Sequence, residues 1–174
     1  MDWFEKLTGF REAGYEETRA KLAVDCNRLR SLVNGKSYGI GQLEFVPLAN
    51  LRLLASSEKA LSAPTKVRIV IGDVRQMHHQ PENESALFQV ASQFNLLEMV
   101  SPNVTPEHGV TRYQYDRTQG PACAIACGAA TIYRNYFAPL DGRPGQIEMR
   151  QFDGLRDVGT ALGKARSGGQ ASCV

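Results

Sequence analysis

The stretch from residue 110 to residue 137, VTRYQYDRTQGPACAIACGAATIYRNYF, constrains the chain more than any other. Residues 110–115 alternate between apolar and polar side chains and predict a short strand. A polar turn, residues 116–121, breaks it. From Ala122 onward nearly every side chain is small. Pro121 suits the first helical position, where its missing N–H costs nothing, and Thr118 suits an N-cap two or three residues earlier. The pattern predicts a strand, a tight loop carrying Asp116, and a helix that points its free amides into that loop. Such a helix start is a ready anion site, most often for phosphate. Ala122, Ala126, Gly128, Ala129 and Ala130 would let the helix lie close to a sheet or a second helix. The same residues equally describe a helix packed deep in a core with a polar turn at its head.

With 174 residues, 43% of them hydrophobic and 22% charged, the chain has the length and composition of one ordinary globular domain. A net charge of +2 is too small to point to nucleic acid. No apolar run approaches the roughly 18 residues of a membrane span, and the mixed-charge N-terminus does not read as a signal peptide. The expectation is a cytoplasmic protein without a membrane partner. Cys123 and Cys127 lie one helical turn apart, unlike the two-residue gap of a zinc or redox pair, and read as small buried side chains. His78 and His79 are neighbours in a polar loop and would point apart. No metal and no cofactor is expected.

Residues 1–41 read as an N-terminal helical extension. Leu22, Cys26, Leu29 and Val33 recur at helical spacing over residues 15–33, after a shorter helix at residues 3–10. Asn34 and Gly35 mark its end, and residues 36–41 form a loop. Residues 42–165 read as an α/β core. In it, residues 42–46 predict a short strand, residues 48–57 a turn or two of helix, and residues 56–65 a connector. Residues 66–73, KVRIVIGD, predict the clearest strand, β-branched on both faces and hence central in a covered sheet. Residues 86–91 predict a second buried strand. Residues 76–85 form a surface loop, residues 147–152 a strand and residues 155–162 a helix. Residues 166–174 read as a flexible tail.

Two strands that end in polar residues, then a loop and a helix start, make an ordered set. Ile71-Gly72-Asp73-Val74, then VASQFN over residues 90–95, then TQGPACAIA over residues 118–126, resemble the motifs of the macrodomain superfamily, whose members bind ADP-ribose. More narrowly, FQVASQFNLLEM followed by DRTQGPACAIACGAATIYRNYF is similar to the branch that removes ADP-ribose from arginine, known from bacterial effectors acting on ADP-ribosylated ubiquitin. The resemblance covers about residues 42–152. It implies a macrodomain-like three-layer sandwich with a mixed central sheet, here ending before the fold's later strands and second phosphate loop. It implies that Asp73 and Val74 meet the adenine and that Asn95 meets the distal ribose. Thr118, Gln119, Gly120, Ala122 and Cys123 would then cradle the diphosphate.

Removing ADP-ribose is displacement at an anomeric carbon, which calls for a carboxylate and an acid. Asp116, at the strand-to-loop junction, is the first candidate, with Glu107 and His108 on the preceding loop as the second acid and a proton shuttle. Asp116 could equally cap a turn or pair with Arg112 or Arg117, and Glu107 and His108 could equally be solvated loop residues. The implied activity is hydrolysis of ADP-ribose from a modified protein, such as ubiquitin. The alternatives are a module that binds ADP-ribose without cleaving it, or an inactive shortened form of a longer hydrolase.

Overall fold

The computed structural model describes residues 1–57, 64, 66–87, 95–98, 101, 103–116 and 118–161. Helix α1, Trp3–Thr8, starts at Asp2, whose carboxylate accepts from the Glu5 N–H at 2.7 Å. It carries Phe4 with no exposed surface, held edge-on by Trp3 and Phe10. Helix α2, Tyr15–Ala20, then stops at one and a half turns. The long helix expected over residues 15–33 does not form. Its place is taken by strands β1, Leu22–Asp25, and β2, Arg28–Ser31, paired antiparallel around Cys26 and Asn27. Both turn residues have positive φ, as a two-residue hairpin turn demands. Leu22 and Leu29, which suggested a helical face, are buried from two strands instead, while Cys26 lies exposed in the turn. Strand β3, Ser37–Gly39, completes this sheet where a loop was expected.

Residues 42–46 form no strand. Helix α3, Leu48–Ser57, follows, partly covered at Leu48 and exposed over residues 49–57. Residues 66–71, expected as the central buried strand, are neither paired nor buried: Ile69 is 94% and Ile71 101% exposed. Their β-branched composition favours extended backbone, but a strand exists only beside a partner, and none pairs with it among the described residues. Helix α4, Val74–Met77, is short. Of the second predicted strand, residues 86–87 are exposed and irregular. Its remainder lies outside the described residues, as do the proposed tail and most of the connector at residues 56–65.

Residues 110–115 are also no strand. Thr111–Tyr115 winds into a 3₁₀ turn, which buries Tyr113 while leaving Tyr115 outside. Helices α5, Gln119–Ala126, and α6, Gly128–Tyr136, follow almost without a break. Strands β4, Pro139–Leu140, and β5, Arg143–Pro144, form a small ribbon. Residues 147–152 add only a bridge between Ile147 and Arg150, and helix α7 runs Arg156–Ala161.

The molecule is therefore mixed α/β. Every strand pair among the described residues is antiparallel, so the mixed central sheet is not among them. The core joins Phe4, Leu22, Leu29 and Ile40 to Val110, Ile132 and Tyr136. Residues 1–41 are thus part of the core rather than an extension of it. Gln146, also without exposed surface, ties the chain after α6 to this core. Its amide donates to the Asn95 and Arg134 carbonyls and accepts from the Phe152 N–H. No helix among the described residues is long and apolar enough to cross a membrane.

One carboxylate joins the two halves. Glu12 accepts from the N–H groups of Val110 and Thr111 at 2.8 and 2.7 Å and from the Tyr136 hydroxyl at 2.8 Å. Gly109 sits beside it at φ 78° and ψ −178°, a conformation essentially reserved for glycine, and a Cβ there would come within 2.5 Å of the carboxylate. Glu12→Ala leaves the Val110 and Thr111 N–H groups without their carboxylate and takes one of two side-chain partners, the other being Thr18, from the buried Tyr136 phenol. With charged hydrogen bonds worth about 1.5–3 kcal/mol each and not additive, the expected loss is on the order of 3 kcal/mol, read as a lowered urea midpoint at unchanged m-value. Gly109→Ala should lower the midpoint as well, whereas Glu16→Ala, on the exposed side of α2, should leave it within error.

Candidate functional site at the head of helix α5

Helix α5 starts at Gln119, two residues earlier than Pro121 would set it. Thr118 has the extended backbone of an N-cap but makes no side-chain cap. Its hydroxyl instead donates to Asp116 Oδ1 at 2.6 Å, and its N–H donates to the same oxygen at 2.8 Å. Asp116 therefore closes the turn, and the first helical amides are left without a capping side chain. These two hydrogen bonds, the hydroxyl's first, hold the Asp116 carboxyl below its ordinary pKa, so it stays ionised through neutral pH. The turn-capping reading of Asp116 and the presence of a carboxylate at the helix head are both realised in the same geometry.

Gln119 and Gly120 carry the uncapped N–H groups. The Ala122 N–H already donates to the Thr118 carbonyl at 3.3 Å. Cys123 lies a further residue into the helix, where an N–H bonds back to the fourth residue before it. Ala122 and Cys123 are thus less suited to a phosphate than the first two positions. The Cys123 thiol is buried, which pushes its pKa up, and it lies 3.5 Å from His78 Nε2.

A residue that the sequence reading passed over completes the cluster. Glu98 packs its carboxylate against Gly120 so closely that a methyl group there would collide with it. Its own N–H donates to the Tyr113 hydroxyl at 3.1 Å, which fixes the backbone of residues 95–98 over the 3₁₀ turn. Burial pushes the Glu98 pKa from 4.5 to about 7; Arg134 opposes this and the Asp116 charge adds to it. The positive end of α5 also opposes it, but by up to about 1 kcal/mol, less than the roughly 1.4 kcal/mol of a single pKa unit, so burial prevails. Arg134 is held in place by donating to the Leu96 carbonyl and the Thr131 hydroxyl. Two carboxylates thus face one helix start in opposite states, Asp116 ionised and Glu98 about half protonated at neutral pH. The only hint in the sequence is a lone glutamate in the apolar run LLEMV.

The other candidates divide. Asp73 stands at the head of α4, its carbonyl accepting from the Gln76 and Met77 N–H groups. Val74 begins that helix, which packs against α5. Asn95 is wholly buried and engaged elsewhere. Its amide donates to Gln151 Oε1 at 2.7 Å, and its side-chain oxygen accepts from the Leu97 N–H at 3.0 Å. Glu107 accepts from the Glu148 N–H through both oxygens, at 2.8 and 3.0 Å. His108 turns back on its own loop, Nδ1 accepting from the Thr105 N–H at 3.0 Å. Glu107 and His108 therefore brace the loop before Gly109 in hydrogen bonds that do not involve α5. Among the described residues, no group of three or more His, Cys, Asp or Glu is placed to hold a metal ion.

A scan against protein-family models, a search of curated proteins and a search of solved structures each find no match to the chain.

The raised pKa of Glu98 makes stability depend on pH. Because its pKa in the folded protein lies above the ordinary value, its contribution is complete below about pH 4.5 and is lost as pH rises through about 7. Discounted for a half-exposed side chain, the loss is on the order of 1 kcal/mol. Glu98→Gln, neutral at every pH, should match the wild type in urea denaturation near pH 4 and exceed it by about that much near pH 8.5. Equal stability at both pH values would show that the carboxylate is not buried as described.

Proposed function

We propose that the chain is a macrodomain-like ADP-ribosyl hydrolase that releases ADP-ribose from modified protein, with arginine as the linkage cut. The observation that carries this reading is the pairing of a half-buried, readily protonated Glu98 with an ionised Asp116 at one uncapped helix start. Two carboxylates held in opposite protonation states are what acid–base cleavage of a glycosidic bond requires. The likeness of residues 71–74 and 118–126 to macrodomain motifs suggests the ligand, and α4, which follows Asp73, lies against α5, the helix that would receive the diphosphate.

In this reading the amides of Gln119 and Gly120 hold a phosphate oxygen. Asp116 orients a water and takes a proton from it as its oxygen bonds to the anomeric carbon. The carbon–nitrogen bond breaks, and Glu98 gives its proton to the departing guanidine nitrogen. The two carboxyls then exchange protons with solvent to restore the starting states. Asp116 is also positioned to steady positive charge developing on the ribose ring.

The test is release of ADP-ribose from an arginine-modified protein. Asp116→Asn and Glu98→Gln should each reduce kcat by roughly 10²- to 10⁴-fold. The wild-type rate should fall as pH rises above about 7, because only protonated Glu98 can act as the acid, and Glu98→Gln should lose that descending limb. Turnover by the two variants equal to the wild type would overturn the assignment. ADP-ribose binding without release by the wild type would identify a reader in place of a hydrolase.

A further inference from the structure

A second concavity lies apart from the head of α5. It is a cleft of about 690 Å³ between residues 44–51, the β4–β5 turn and the start of α7. Its floor is apolar. Phe45 stacks on the buried Phe152 with ring centres 4.8 Å apart, and Leu51, Leu96 and Leu140 extend the surface. Phe45 and Leu51 remain 45% and 47% exposed, so this floor is still open to a partner.

The rim is acidic. Among the described residues that line the cleft, Glu44, Asp141, Asp153 and Asp157 stand against one cation, Arg156. That is the reverse of the chain as a whole, which carries a net charge of +2. The four carboxylates are not equivalent. Asp157 accepts from the Leu48 N–H at 2.8 Å and so fastens α7 to the start of α3. Asp153 accepts from the Leu155 N–H at 3.1 Å. Glu44 and Asp141 are exposed and make no hydrogen bond or ion pair among the described residues. Two carboxylates therefore build the wall and two are left facing solvent across an aromatic floor.

We infer that this cleft binds a basic, amphipathic polypeptide segment. Aliphatic side chains would lie on the Phe45–Leu51 floor, and arginine or lysine heads would meet Glu44 and Asp141. A guanidinium also stacks well on an exposed aromatic face such as that of Phe45. An acidic segment would meet four like charges around the same floor and is disfavoured. The inference does not rest on the hydrolase reading, since none of these residues belongs to the helix-head cluster.

The experiment is fluorescence anisotropy of the full chain with a labelled peptide of alternating arginine and leucine. Peptides with serine or glutamate in place of arginine serve as comparisons. The arginine peptide should bind at least about tenfold more tightly than the serine peptide, and the glutamate peptide should not bind. Raising salt from roughly 0.05 to 0.5 M should weaken binding, as screening of exposed charges requires. The double variant Glu44→Gln/Asp141→Asn should weaken it about fivefold at an unchanged melting temperature. Asparagine is at home in the Asp141-Gly142 turn, so this variant keeps the fold. Equal affinity for the arginine and serine peptides, no binding of either, or wild-type affinity in the double variant would each overturn the inference.

Discussion

The structure depends first on the Glu12 carboxylate. It stands in the loop between α1 and α2, yet its partners are the backbone of residues 110–111 and the hydroxyl of Tyr136. A carboxylate accepting from two amides and a phenol fixes the direction of the 3₁₀ turn that follows and the depth at which α6 lies. Burial, and then the nearby Glu12 charge, push the Tyr136 pKa upward, so the phenol remains a donor. Tyr136 packs at a tilt against Tyr15, ring centres 4.7 Å apart, and Tyr15 donates to the Asn135 carbonyl at 2.8 Å. The N-terminal segment, the turn and α6 are therefore set by one group, and everything placed by the turn inherits that position.

The helix-head cluster is the main inheritor. Tyr113 is buried because the 3₁₀ turn points it inward, and its hydroxyl accepts the Glu98 N–H. Asp116 follows the last residue of that turn, close enough to draw the Thr118 hydroxyl away from the helix it would otherwise cap. Glu98 and Asp116 thus reach the same helix start from opposite ends of one hydrogen-bonded segment. Their different protonation states need no special device. One carboxylate is buried against Gly120 and the other is exposed with two donors. Solvent access and hydrogen bonding are the main causes that set the two carboxyls apart.

What was legible in the sequence was local. The small-residue run announced a helix, which the structure divides at Cys127 into α5 and α6, Thr118 announced the position of the N-cap, and Asp116 the carboxylate in the loop. What was illegible depended on tertiary partners. Leu22, Cys26, Leu29 and Val33 fit a helical period, but the two-residue turn at Cys26-Asn27 lacks the Asn-Gly signature that would have argued for a hairpin. Residues 66–71 have the composition of a buried strand and no neighbour to make them one among the described residues. Residues 110–115 alternate, but the Glu12 anchor at their first two amides occupies the donors a strand would have offered to a sheet. Asn95, Glu107 and His108 had the right chemistry for a site, and their hydrogen bonds go to Gln151, Glu148 and Thr105. Glu98 escaped notice because a glutamate among leucines is unremarkable until its carboxylate is seen to be half-buried.

The same contrast governs the two concave regions. At the head of α5 the useful property is a difference between two carboxylates, created by burying one of them. In the acidic cleft it is a sum, with four carboxylates left in or near water around an aromatic floor. Burial makes the first kind of group responsive to pH near neutrality, and exposure leaves the second kind responsive to salt. The two regions can therefore be told apart in solution by which variable moves them. A property set by Glu98 should follow pH near 7 and lose that dependence in Glu98→Gln, while one set by Glu44 and Asp141 should follow ionic strength at constant pH and lose that dependence when the two are neutralised.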